Sequence, residues 1–140
     1  LSVLVLAGFV LGLTSSPASA ADWGGSGPSV AQCSYGATVY TVGAPVYLYY
    51  PSGEVAGYVE VRWSNWCLSS NWARLTSYVS ARHAVSIHEN ARPANAAGAD
   101  DSGVTVNWTP AILLASPSNT VCAYADIYSF KGHAAGVVCR

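Results

Sequence analysis

Charge is scarce in this chain: six Lys or Arg stand against seven Asp or Glu among 140 residues, a net charge of −1. Nucleic acid and anionic membrane surfaces need clustered cations, so neither is expected as a partner. No Cys-x-x-Cys pair occurs, which argues against a zinc site. Gly-x-Ser-x-Gly, His-Glu-x-x-His and the phosphate loop are also missing. His83 and His88 lie five apart, on opposite faces of a strand or about 140° apart on a helix, which disfavours a two-histidine metal clamp. Glu54, Glu60, Glu89 and Asp126 offer carboxylate pairs for glycoside cleavage, yet a domain of this size seldom forms the cleft that such chemistry needs. No metal, no cofactor and no catalytic residue is therefore expected. Beyond Leu13 no apolar run approaches the roughly 20 residues that span a bilayer.

What the chain does contain starts with an apolar run, Leu1 to Leu13, leading through Thr14, Ser15, Ser16 and Pro17 to Ala18-Ser19-Ala20. The run is too short to span, and small residues at 18 and 20 suit a signal peptidase. We expect residues 1–20 to be a secretory signal cleaved after Ala20. Neither Met nor a basic segment precedes the run, so the sequence is expected to begin inside the signal. The mature part, about 120 residues, has the length of one domain and is expected to be secreted, with no membrane association after cleavage. Residues 21–32, with Gly24, Gly25, Gly27 and Pro28, read as a flexible Gly-rich segment, and 33–140 as a single β-rich domain.

Period-two alternation recurs along that domain. It is plainest where Tyr58, Glu60, Arg62 and Ser64 alternate with Val59, Val61 and Trp63, giving one apolar face and one that sets an acid beside a base. Glu60 and Arg62 then read as an exposed pair worth at most about 1 kcal/mol. Further strands are expected near 39–42, 46–50, 72–76, 84–88, 104–108, 111–115 and 121–128. Ala91 to Gly103, rich in Ala, Asn, Asp and Gly, reads as the longest loop. The fold class is all-β: a small antiparallel sandwich or barrel of about eight short strands, with two disulfides.

Four cysteines in a secreted chain allow three connectivities. With Phe130-Lys131 as a two-residue loop, Ser129 faces Gly132, and counting back puts Cys122 opposite Cys139, within disulfide reach. Neither Phe nor Lys suits the positive φ of a primed turn, and a four-residue loop around Gly132 would shift the register. The preferred pairing is Cys122–Cys139, which leaves Cys33–Cys67.

Val59-Glu60-Val61-Arg62-Trp63-Ser64, then Cys67, then Trp72-Ala73-Arg74-Leu75 resembles the secreted bacterial family called domain of unknown function 2690. That family's pattern is an apolar-Glu-apolar-Arg-aromatic-Ser strand, a Cys and then Trp-Ala-Arg. Four residues, Leu68 to Asn71, separate Cys67 from Trp72 here where about three are usual. The resemblance implies an exported domain of high-GC Gram-positive bacteria and carries no activity.

Nine Tyr and five Trp against so little charge point to recognition at the cell exterior, although most rings are expected in the core or on strand faces. The candidate binding residues are Trp63, Trp66, Trp72, Arg62 and Arg74, although the arginines are expected first as structural groups, pairing with a carboxylate so as to lock two strands together or stacking on Trp63 or Trp66. The leading expectation is a non-catalytic extracellular binding or structural-association domain. One alternative is a carbohydrate-binding or cell-wall-binding module in which exposed members of Tyr47, Tyr49, Tyr58, Trp63, Trp66 and Trp72 stack on sugars. Another is an extracellular inhibitor or interaction protein acting through Asp22–Gln32 or Ala91–Gly103. The expected partner is cell-wall polysaccharide or another extracellular protein.

Overall fold

Alternating side chains and short turn segments make about two thirds of the described chain strand. The structure, a computed structural model, describes residues 22–34, 39–67 and 69–140. The expected signal and its cleavage position lie outside the described residues. In chain order the elements are β1 (Trp23–Gly24), the helix α1 (Val30–Ser34), β2 (Val39–Thr41), β3 (Val46–Tyr49), β4 (Val55–Ser64), β5 (Ser70–Glu89), β6 (Arg92–Trp108), β7 (Ile112–Leu113), β8 (Val121–Ser129) and β9 (Gly132–Cys139). Every pairing between them is antiparallel.

The all-β class is as expected, and the arrangement is that of an open sandwich. The first half of β5 lies between β4 and the end of β6, with Arg74 opposite both Glu60 and Trp108. Its second half lies between the start of β6 and β8, with Val85 opposite Ala99 and Ala125. Register shifts from Thr76 to Ala81 and from Ala81 to His83 separate the halves, and such bulges bend a strand. One layer is thus built on β4 and the other on β8, and β5 and β6 belong to both. The sheet does not close, because β9 bonds only to β8 and β3 only to β4. Between the layers, Val59, Val61 and Leu75 meet Val85, Ile87, Ala125 and Ile127 in one apolar core.

Three expectations change. The separate strands near 72–76 and 84–88 are one strand of 20 residues, since neither Gly nor Pro interrupts Ser70 to Glu89. Ala91–Gly103 is no loop: only Asn90-Ala91 turns the chain, and the rest belongs to β6. Its composition is poor for a strand, but small residues are what close packing needs here. Ala97 and Ala99 face the core, and Gly98 lies under the indole of Trp23, which a Cβ at 98 would strike. Of the strand expected at 111–115, only Ile112–Leu113 is extended as a strand.

The Gly-rich segment is tied down from Trp23 onward. Trp23 and Gly24 pair with Gly98 and Ala97, and the amide of Gly27 donates to Ala111 O at 3.1 Å. Ser29 and Gln32 then cap α1 reciprocally, Ser29 N donating to Gln32 Oε1 (3.0 Å) and Gln32 N to Ser29 Oγ (3.2 Å), as in a capping box. Both expected disulfides are present, Cys33–Cys67 and Cys122–Cys139. The last hairpin uses the two-residue loop, with Ser129 opposite Gly132 and Cys122 opposite Cys139. The objection to Phe130 and Lys131 is met locally: neither takes positive φ, and Gly132 carries it, at 121°.

Candidate functional site

Strand alternation and register build one polar row on the outer face of the β4 layer. Arg62 faces Trp72 and Thr41, while Glu60 faces Arg74, which faces Trp108 on its other side. Val59, Val61 and Leu75 point the opposite way, into the core, so the charged side chains share the surface that burial leaves over. Helix α1 covers part of that surface. The Ser64 hydroxyl donates to the Cys33 carbonyl, and Cys33, Cys67, Trp72 and Ala111 form a small second core with Val30 and Val39 packed on it.

Glu60 is the centre of the row and is only 5 % exposed. Arg74 donates to its Oε2 through Nε at 2.7 Å and approaches the same oxygen with Nη2 at 2.6 Å. The Thr41 hydroxyl donates to Oε1 at 2.6 Å. Arg62 Nη1 reaches Oε1 at 3.3 Å and the Thr41 hydroxyl oxygen at 2.5 Å. The expected solvated Glu60–Arg62 pair is therefore a buried carboxylate shared by two guanidinium groups on different strands. The difference arises because a register, invisible from β4 alone, brings Arg74 across to the same acid.

Two cations on one anion leave a single positive charge uncompensated within this cluster. Burial, and next the neighbouring Arg74, pull the pKa of Arg62 below its usual value, against the opposing pull of Glu60. Among the described residues, Nε and Nη2 of Arg62 and Nη1 of Arg74 make no side-chain hydrogen bond. Both arginines border a cleft of about 370 Å³, within the size range of small-molecule sites. Trp72, Arg62 and Arg74 line it together with Val106 and Trp108 of β6, and Val30, Ala31 and Ser34 of α1 with Val39 are the other described residues in the lining.

Three of the five candidate binding residues thus come together, Arg62, Trp72 and Arg74. Trp72 does so as a core residue rather than a stacking platform: it is 3 % exposed, because α1 and the Cys33–Cys67 bridge cover the face it occupies. Trp63 is half-buried on the other face of β4, its ring 5.6 Å from that of Tyr40. Trp66 stands 65 % exposed in the turn after β4. Tyr49 and Tyr47 are exposed, and Tyr47, Tyr58 and Tyr78 form a ladder with ring planes inclined at 62° and 58°, so it offers no flat platform. Sequence reasoning missed Val106, Trp108 and α1. The Ser29-to-Gln32 capping box was the readable signal for the helix; no local signal places β6 beside Arg74.

Other polar clusters serve the fold. His83 is fully buried with Nε2 2.7 Å from Ser77 Oγ. The Ser77 hydroxyl donates to Val79 O at 2.6 Å, so Nε2 carries the proton and Ser77 is committed to the backbone rather than to a substrate. Burial pushes the His83 pKa down, with Asp101 pulling weakly the other way. His133 and Asp126 pair at 2.6 Å on the exposed β8–β9 face. Among the described residues no group of three His, Cys, Asp or Glu side chains is placed to hold a metal ion. No helix there is long and apolar enough to cross a membrane. Comparison with known proteins gives no matching family model, no similar curated protein and no similar solved structure.

Proposed function

We propose that this chain is an exported, non-catalytic binding domain of the cell exterior whose ligand seat is the cleft between α1 and the Arg62–Arg74–Trp108 face. The observation that carries the reading is the unbalanced pair of guanidinium groups on the buried Glu60, both belonging to residues that line a largely apolar cleft. Structural ion pairs are normally balanced and fully engaged; an excess charge held partly out of water is what a ligand of opposite sign would satisfy. Two disulfides support an oxidising, extracellular setting. The resemblance to domain of unknown function 2690 belongs to this proposal, since its motif residues Glu60, Arg62, Cys67, Trp72 and Arg74 are the clamp, the cross-link and the cleft floor.

Cell-wall polysaccharide is the second reading, resting on the exposed rings of Trp66, Tyr49 and Tyr47. Recognition through an Ala91–Gly103 loop falls away with the loop itself. The test is retention of culture-supernatant proteins and purified cell-wall polysaccharide on immobilised domain, comparing wild type with Trp108→Ala. Trp108 is 52 % exposed, so its loss should leave circular dichroism unchanged. Retention that drops in the variant supports the seat. Equal retention by both, or conversion of a retained ligand into product, overturns it.

A further inference from the structure

We infer that the cleft takes a carboxylate borne on a flat apolar body, about the size of one aromatic amino-acid residue; this rests on the reading of the cleft as the ligand seat. Charge sets the sign. Arg62 and Arg74 share Glu60, and among the described residues no acidic one lines the cleft, so the surplus is one positive charge and a singly charged anion balances it. Donor geometry sets the group. The idle nitrogens belong to planar guanidinium forks, whose paired N–H groups match the two oxygens of a carboxylate. Their burial strengthens the preference, because side chains 15 % and 34 % exposed are less well hydrated than free surface arginines.

The walls set the rest of the ligand. Trp108 and Val106 of β6, Val30 and Ala31 of α1, and Trp72 of β5 line the cleft. An indole face beside aliphatic groups receives a flat apolar ring by stacking and area burial. A volume of about 370 Å³ holds one such residue and leaves room for chain attached to it. Two sources share this chemistry, a free aromatic acid and the C-terminal residue of a peptide, and capture of a terminal carboxylate is an established recognition mode.

Isothermal titration calorimetry of the disulfide-intact domain tests the inference with four probes: N-acetylphenylalanine, its carboxamide, and a pentapeptide ending in Phe with free or amidated terminus. A free acid should bind roughly 10- to 100-fold more tightly than its amide, the discrimination a charged hydrogen bond provides, and added salt should weaken the acids alone. Preference for the peptide acid over the small acid assigns the chain terminus as the source, and the reverse assigns a free acid. Trp108→Ala should weaken acid and amide alike, and Arg62→Gln should abolish the difference between them. If Arg62→Gln fails to fold, the salt dependence of the wild type still decides. Acid and amide binding within about two-fold of each other, or no heat from any probe, overturns the carboxylate assignment. The retention experiment above judges the cleft separately.

Discussion

Acid should unfold this protein through one residue above all, Glu89. Its side chain is fully buried and accepts from five donor nitrogens: Arg92 Nε and Nη2 and Asn95 Nδ2 on one oxygen, Asn119 Nδ2 and Ala115 N on the other. Burial by itself raises the carboxyl pKa, and the hydrogen bonds from Asn119, Arg92, Asn95 and Ala115 outweigh it, lowering the value from 4.5 to about 2. A folded pKa below the unfolded one means the unfolded chain binds the proton more readily. The stabilisation is therefore complete above about pH 4.5 and is lost as pH falls toward 2. A gap of this size is worth about 3 kcal/mol, a large share of the stability of an ordinary domain. Glu89→Gln places amide hydrogens against donors and should forfeit about the same 3 kcal/mol at neutral pH. Urea unfolding followed by tryptophan fluorescence, repeated from neutral pH down to about pH 2, checks both statements. The wild-type midpoint should fall steeply across the acid window, and the variant should start lower and fall less. Parallel pH profiles, or a Glu89 carboxyl that titrates near 4.5 by NMR, would refute the reasoning.

Glu60→Gln should cost about 2–3 kcal/mol, below the usual figure for a broken buried pair because both arginine side chains reach some water; a urea midpoint shift of under a few tenths of that would contradict the shared-carboxylate account. Reducing the disulfides should cost about 4 kcal/mol for Cys33–Cys67 and about 3 kcal/mol for Cys122–Cys139 on chain-entropy grounds, given sequence separations of 34 and 17. Paired Cys→Ala variants measured by urea denaturation check the order. Because burial lowers the His83 pKa, neutral imidazole is the folded form, so its contribution is full above about pH 6.5 and declines as pH falls toward the lowered value. His83→Gln should flatten that part of the stability profile, and an unchanged slope would remove His83 as its source.

How much of this was readable depended on whether information was local. The bridge between Cys122 and Cys139 could be counted from a two-residue loop, because a hairpin's register follows from its turn. The alternation of Glu60 and Arg62 with Val59 and Val61 gave the polar and apolar faces of β4. Burial of Glu60 did not follow, since it needs Arg74 from one neighbouring strand and Thr41 from the other. Residues 92–103 of β6 were misread because Ala and Gly weaken β-propensity, and the reason for them, the core contacts of Ala97 and Ala99 and the indole on Gly98, is tertiary; 104–108 was read as a strand. Trp108 reached the site by the same non-local route.

A single strand that runs through both halves of the molecule has a mechanical consequence. With β5 and β6 continuous across the bend, no linker separates one layer from the other, and jaw-like closure on a guest would require breaking the ladder itself. Calorimetric melting should therefore give one peak with equal van't Hoff and measured enthalpies.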